Sequence, residues 1–225
     1  MKIGLILAAG GIGKRFGSGT RKQYLTLCDK PVLYWTLMPF LETNKFENIV
    51  ISVPEEDINY VKTIVPDSDI IEIIAGGKER YHSVYNALTA IPEDTDFVLI
   101  HDAVRPFIKK SKILEIIRAL SMYEALTVGY PVSDTIVTGS DNEIIEYQVR
   151  STLWLTQTPQ AFKYSLILKA YKNAFENGDF STDDTYLVKN IGVNIKIIPG
   201  DKTNIKITTP EDYELAEIYI KNFKY

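Results

Sequence analysis

Short apolar runs alternate with stretches of helical spacing through the first 127 residues of the chain. "KIGLILA" (2–8) reads as a buried strand, and "PVLYWTLMPFLE" (31–42) as a helix that starts with a proline. "NIVISV" (48–53) is a predicted strand and "EDINYVKTIV" (56–65) a predicted helix. "IIEIIA" (70–75) is a strand, followed by Gly76–Gly77 and a helix running to about Ala90. "DFVLIH" (96–101) and "KKSKILEIIRALSM" (109–122) repeat the strand–helix pair. Strands this uniformly apolar, separated by helices, predict an α/β fold: a mostly parallel sheet with helices on both faces.

The rhythm breaks after about Thr127. Residues 128–160 hold two β-like runs around the polar turn "TGSDNE", which predicts a hairpin. Such a hairpin is not needed by an α/β core, so it is expected to project as an arm, at about 133–158, and to pack on something else. Helical pattern returns at 163–177 and 183–190, and "VNIKIIPG" (193–200) is a further strand. "TNIKITTPEDYELAEIYI" closes as a strand and then a helix, with Thr209 as its N-cap and Pro210 in its first position.

The chain has 225 residues, 45% of them hydrophobic, enough for a single domain over 1–225 with one core and a small appendage. A net charge of −4 argues against a general nucleic-acid or membrane-surface binder. No apolar run approaches the ~20 residues of a membrane span. No signal or transit peptide is expected, since the sequence opens on a strand, and the single cysteine, Cys28, fits a reducing compartment. A cytoplasmic location is expected.

Against that acidic balance, "LAAGGIGKRFGSGTRKQYL" (7–25) carries Lys14, Arg15, Arg21 and Lys22 and no acid. It satisfies neither the P-loop pattern nor the dinucleotide fingerprint: Arg15 stands where a P-loop needs Ser or Thr, and Phe16 where the third fingerprint glycine belongs. What remains is a glycine loop at a strand's carboxyl end, with Arg15 and Lys22 following. Glycines let backbone N–H groups approach an anion, Arg offers a planar fork and Lys a mobile point charge. A local phosphate site is the reading.

Other candidates lie further along. "HDAVRPF" (101–107) ends a strand where open α/β sheets bind ligands. Asp102 there suits a divalent metal or a ribose hydroxyl, and Arg105 a phosphate; a local Asp–Arg pair is the plain alternative. His101 is expected to be a packed histidine rather than a base. In "GGKERYHSV" (76–84), Ser83 either reads a base edge or packs its helix. In "NIKI" (204–207), Lys206 points opposite Ile205 and Ile207, toward solvent or a site. In "STDDTYL" (181–187), Thr182 is a plausible helix cap.

Taken together, "LAAGGIGKRF", "KQYL", "GGKERYHSV", "HDAVRPF", "SDTI", "RSTLWLTQTPQAF", "TDD" and "NIKITTPEDYELA" occur in the order of the 2-C-methyl-D-erythritol 4-phosphate cytidylyltransferases, which the chain resembles over nearly its whole length. The resemblance implies a Rossmann-like sheet and a β-arm that hooks a second subunit into a homodimer. It implies transfer of CMP from CTP to a polyol phosphate, with Mg2+ and release of pyrophosphate. Arg15 and Lys22 would face the triphosphate, and Lys206 the α-phosphate. Ala8, Ala9, Gly10, Gly11, Gly13, Gly77 and Ser83 would bind the nucleotide. Asp102, Arg105 and Thr182 would line the substrate side, with Asp102 also a metal ligand. Thr135 and Arg150 would come from the partner's arm. Two positions depart from the family pattern: Arg21 replaces a proline and adds charge that loosens the loop, and Lys78 stands where a base-contacting acid is usual. "AGGIG" is similar to the related ribitol-5-phosphate cytidylyltransferases, an alternative substrate class. A nicotinamide-dependent oxidoreductase is disfavoured by the failed fingerprint.

Overall fold

The structure, a computed structural model, describes residues 1–11 and 21–222. Eleven strands and seven α-helices occur among them. In chain order they are β1 (Ile3–Ala8), β2 (Thr26–Leu27), β3 (Lys30–Pro31), α1 (Val32–Leu41), β4 (Asn48–Val53), α2 (Ile58–Ile64), β5 (Ile71–Ala75), α3 (Arg80–Ala90), β6 (Phe97–Asp102), α4 (Lys110–Ala119), β7 (Ala125–Pro131), β8 (Val137–Ser140), β9 (Glu143–Tyr147), β10 (Trp154–Lys163), α5 (Tyr164–Asn177), α6 (Asp184–Asn190), β11 (Lys196–Pro199) and α7 (Pro210–Asn222).

Seven strands form one sheet in the order β11-β7-β10-β6-β1-β4-β5. Every neighbouring pair is parallel except those made by β10, which runs antiparallel to both β6 and β7. The α/β expectation therefore holds, with one reversed strand. Alternation along β1 explains the two-sided core. Leu5 and Leu7 point to a layer with α1 and α4, through Leu33, Leu37, Ile113 and Ile116. Ile6 points the other way, to α3 and α5, through Val84, Leu88, Ile167 and Tyr171. Both faces are apolar because both are covered.

The arm differs from its expected bounds. Residues 154–158 belong to β10, where Trp154 pairs with Pro131 and Gln157 with Val128 of β7 in the main sheet. Only β8 and β9 form the separate antiparallel hairpin, turning at Asp141–Asn142 with φ of 51° and 64°. The β-like run 154–163 begins exposed and becomes buried from Gln157 onward. The strand thus has an exposed start and a buried remainder within one sheet, a division that periodicity does not mark.

"NIKI" was expected as a strand and is irregular. Ile207 instead donates its N–H to the Val104 carbonyl and buries its side chain beside Leu27, Val32 and Phe107. The segment is thereby fastened to the loop after β6, and α7 covers the same cluster through Ala216 and Ile220. The cap of α7 is as read: Asp212 N–H reaches Thr209 Oγ1 at 3.4 Å while Asp212 Oδ2 accepts Thr209 N–H at 2.8 Å, a reciprocal box.

Candidate active site

The carboxyl ends of β1 and β6 lie side by side, with Ala8 opposite Asp102 in the register. Above them opens a cavity of about 360 Å³ lined by Ala8–Gly11, Lys22, Ser83, Asp102 and Lys206, with Gln23, Arg80, Val104, Lys78 and Glu79. Four distant stretches of sequence meet there, at the place where open α/β sheets bind ligands.

The glycine loop is held from below. Ala9 donates its N–H to the Ser52 carbonyl at 2.9 Å, and its own carbonyl accepts Gln23 Nε2 at 2.7 Å. Ser83, on α3, accepts the Gly77 N–H at 3.0 Å, and a Cβ at Gly10 would sit 2.9 Å from its hydroxyl. The glycines thus allow α3 to press against the loop. Ser83 is buried and borders the cavity, so both readings of it, packing and ligand reading, remain physically compatible. Gly13 and Arg15 lie outside the described residues. Lys22 stands on a 3₁₀ turn, its Nζ at 3.5 Å from the Thr208 carbonyl.

Arg21 has counter-charges that the sequence does not reveal. Its guanidinium is not a free charge: it pairs with Glu56 at 2.5 Å and with Asp57, while the loop it was expected to loosen lies outside the described residues. Its counter-charges come from the segment after β4, more than thirty residues on.

Asp102 is the electrostatic centre. Its Oδ2 meets Lys206 Nζ at 2.9 Å and Arg105 Nε at 3.3 Å; its Oδ1 meets Arg80 Nε at 3.2 Å. Burial opposes its charge, but Lys206, Arg80 and Arg105 outweigh burial and hold the carboxyl well below the usual range. Arg105 is committed inside: its Nη1 also donates to the Asn204 carbonyl at 2.9 Å. The local Asp–Arg pair is therefore present, and Arg105 does not line the cavity.

His101 is the packed histidine expected. Fully buried, it places Nε2 at 3.1 Å from the Arg105 carbonyl and Nδ1 at 2.9 Å from Thr158 Oγ1. Thr158 Oγ1 accepts the Asp102 N–H, so its own hydrogen goes to Nδ1 and the imidazole donates from Nε2. Burial pushes its pKa down to about 3, so it is neutral at physiological pH.

Three expected site residues stand apart in this chain. Thr182 is exposed, and the cap of α6 is Asp183, whose carboxylate accepts Thr185 N–H at 2.8 Å; a carboxylate one residue on takes the role assigned to the threonine. Thr135 is exposed, and Arg150, also exposed, reaches only the Ser133 carbonyl of its own arm at 3.1 Å. Sequence reasoning missed Gln23, Arg80 and Asp184. Arg80 lies three residues before Ser83, one turn along the same helical face, and that spacing was the available signal. Gln23 carried none beyond its place in "KQYL".

The 2-C-methyl-D-erythritol 4-phosphate cytidylyltransferase family model matches residues 3–222. A protein of that name from Caldanaerobacter subterraneus subsp. tengcongensis is 38% identical over 226 residues, covering 98% of this chain and all of the relative. One from Clostridium beijerinckii is 41% identical, covering 98% of this chain and 99% of the relative. The crystal structure of 4-diphosphocytidyl-2C-methyl-D-erythritol synthase from Anaerococcus prevotii superposes with a TM-score of 0.88 at 29% identity, covering 98% of this chain and 96% of that one. The 2-C-methyl-D-erythritol 4-phosphate cytidylyltransferase of Francisella tularensis gives 0.84 at 28%, covering 97% and 99%. With its sheet order, its cavity above β1 and β6, and a match of this extent, the chain belongs to the 2-C-methyl-D-erythritol 4-phosphate cytidylyltransferase family.

Proposed function

We propose that the chain transfers CMP from CTP to 2-C-methyl-D-erythritol 4-phosphate and releases pyrophosphate, using the cavity above β1 and β6. The observation that carries this reading is the meeting of the Ala8–Gly11 backbone, Lys22, Asp102 and Lys206 in one cavity. In the reaction a phosphate oxygen of the polyol attacks the α-phosphorus, and the bond to the β-phosphate bridge breaks with its electron pair leaving on pyrophosphate. The nucleophile is already ionised, so no base is required, which agrees with a neutral, enclosed His101. Preplaced positive charge does the catalytic work. Lys22 and Lys206 are the cations for the triphosphate and the α-phosphate. Arg15 joins them in this reading, and Ser83 with the Gly77 backbone selects the base.

Mg2+ belongs to the proposal. Among the described residues no cluster of three or more His, Cys, Asp or Glu gathers to hold a metal. Two carboxylates, Asp102 and Glu79, border the cavity, too few to cage a metal, a donor set that suits Mg2+ held largely by nucleotide phosphates and water. When bound, the ion would neutralise phosphate charge.

A homodimer completes the site in this reading. Thr135 and Arg150 sit on an arm whose Ile144, Ile145, Tyr147 and Val149 are all more than half exposed, a patch suited to a partner. Arg150 from the neighbour would grip the polyol phosphate as a fork. No described helix is long and apolar enough to cross a membrane, and a cytoplasmic location fits the lone cysteine.

Incubation with CTP, Mg2+ and either methylerythritol phosphate or ribitol phosphate, assayed for pyrophosphate, tests the reading. Release with the methylerythritol substrate is expected. Release only with ribitol phosphate, or none with either, overturns it.

A further inference from the structure

Asp102 carries three cations, and they are not alike. Lys206 is more than one-third exposed and faces the cavity. Arg105 is tied to the Asn204 carbonyl. Arg80 is tied most firmly: Nη1 and Nη2 donate to Asp184 Oδ1 and Oδ2 at 2.8 and 2.7 Å, while Nε reaches Asp102. Asp184 is itself buried and accepts the Tyr171 hydroxyl at 2.5 Å. The guanidinium therefore spans from the first turn of α3, beside Ser83, to the first turn of α6, with Asp102 between. Asp102 has two anchored partners and one movable one.

A buried carboxylate that lost its lysine to an arriving phosphate would, without Arg80, keep on Oδ2 the 3.3 Å contact of Arg105 and have no cation on Oδ1 to stop it swinging after the lysine. We propose that Arg80 is a positioning residue: clamped on Asp184, it keeps Asp102 paired and in place while Lys206 is handed from Asp102 to the reacting phosphate. The proposal rests on the cytidylyltransferase reading and assigns Arg80 and Asp184 a part in it. The role belongs to the chemical step, because Lys206 is needed at the α-phosphorus as charge grows there.

The test is the kinetics of Arg80→Lys and Asp184→Asn, with CTP binding measured by calorimetry on the same samples. Lysine keeps the charge but cannot grip Asp184 with a fork while touching Asp102. Both variants are expected to lose kcat by roughly 10- to 100-fold, with the CTP dissociation constant changed by less than about threefold. The double variant should be no slower than the slower single one, since the two residues act as a unit. Arg80→Ala, if it folds, should regain part of its rate on addition of guanidinium ion well below denaturing concentration, which a purely structural loss would not do. If both conservative variants keep kcat within about threefold of the unsubstituted protein and lose only melting temperature, Arg80 serves packing alone and the proposal falls. If the unsubstituted protein releases no pyrophosphate from CTP and methylerythritol phosphate, the assigned activity falls first, and Arg80's part in it with it.

Discussion

The cavity floor and the arm grow from one pair of strands, yet they are opposite kinds of structure. Within the core, the Thr158 hydroxyl of β10 bonds both the Asp102 backbone and His101, and Gln157 Nε2 donates to the Asp201 and Asn204 carbonyls at 2.9 and 3.0 Å. A few residues earlier, Trp154 and Leu155 of the same strand face outward, and the β8–β9 hairpin beyond them is exposed along its whole length. The floor pairs most of its polar groups within one chain, with Gln157 Oε1 and Asn204 Oδ1 buried among them without a hydrogen-bond partner among the described residues. The arm leaves its apolar groups unsatisfied, and burying them requires another surface. One region is enclosed by its own fold, and the other leaves an apolar patch exposed, where the proposed partner would sit. The predictions below bear on that contrast.

The largest effect is expected at the floor. Lys22→Ala and Lys206→Ala should each lower kcat by about 100-fold or more, with smaller changes in KM for CTP, because their charge is needed most in the transition state. Steady-state kinetics decides this. A near-normal kcat with only the CTP KM raised would reassign that lysine to simple binding.

Next comes the arm. Arg150→Ala and Lys22→Ala chains, each inactive alone, should recover activity when dissociated and reassociated together. About a quarter of the unsubstituted activity is expected, because half the dimers are mixed and each mixed dimer has one intact site of two. Full subunit exchange without recovery would confine Arg150 to its own chain and remove the contrast drawn above.

A third measurement probes how completely the floor is enclosed. His101 has a folded pKa of about 3 against an ordinary 6.5, so the unfolded chain takes the proton first as pH falls. Its contribution is present above pH ~6.5 and is lost progressively as pH drops toward 3. Between pH 7 and pH 5 this loss amounts to about 2 kcal/mol. Asp102, also depressed, acts only below the ordinary carboxylate range and stays out of this window. Denaturant unfolding of His101→Gln should show a correspondingly flatter stability profile from pH 7 to 5. Equal slopes in both proteins would mean that water reaches the imidazole.

The smallest effect is expected at the tip of the arm. Asp141 and Asn142 adopt left-handed backbone angles, which asparagine tolerates better than alanine. Asn142→Ala should destabilise the hairpin by about 1 kcal/mol and leave the core untouched. Faster amide exchange in β8 and β9 with unchanged exchange in β1 and β6 is the expected signature. Faster exchange throughout would show that arm and core share one cooperative unit.

Much of this was legible in the sequence because it is local. The apolar runs of β1, β4, β5 and β6, the spacing of the helices between them, the Thr209–Pro210 start of α7 and the turn at Asp141–Asn142 each follow from residues a few positions apart. Glycines after an apolar strand, followed by cations, point to an anion site wherever the strand lies. Lys206 emerged from alternation, since burying Ile207 on one side turns the lysine to the other.

The rest depends on residues far apart in the chain. Arg80 and Asp184 are separated by 104 positions, and Arg21 and Glu56 by 35. No periodicity carries such pairings; they exist because α3, over β1 and β4, and α6, over β7, both pack against α5 on one face of the sheet and bring their starts together. The reversed direction of β10 and the division of that strand into an exposed start and a buried remainder have the same origin. Side-chain period tells which face of a strand is apolar, but strand direction and what covers each face are set by the closure of the whole sheet. The sequence by itself determined the elements and the chemistry available at their ends. The tertiary structure decided which charges neutralise one another, because at these short separations and in this degree of burial, contact geometry outweighs order along the chain.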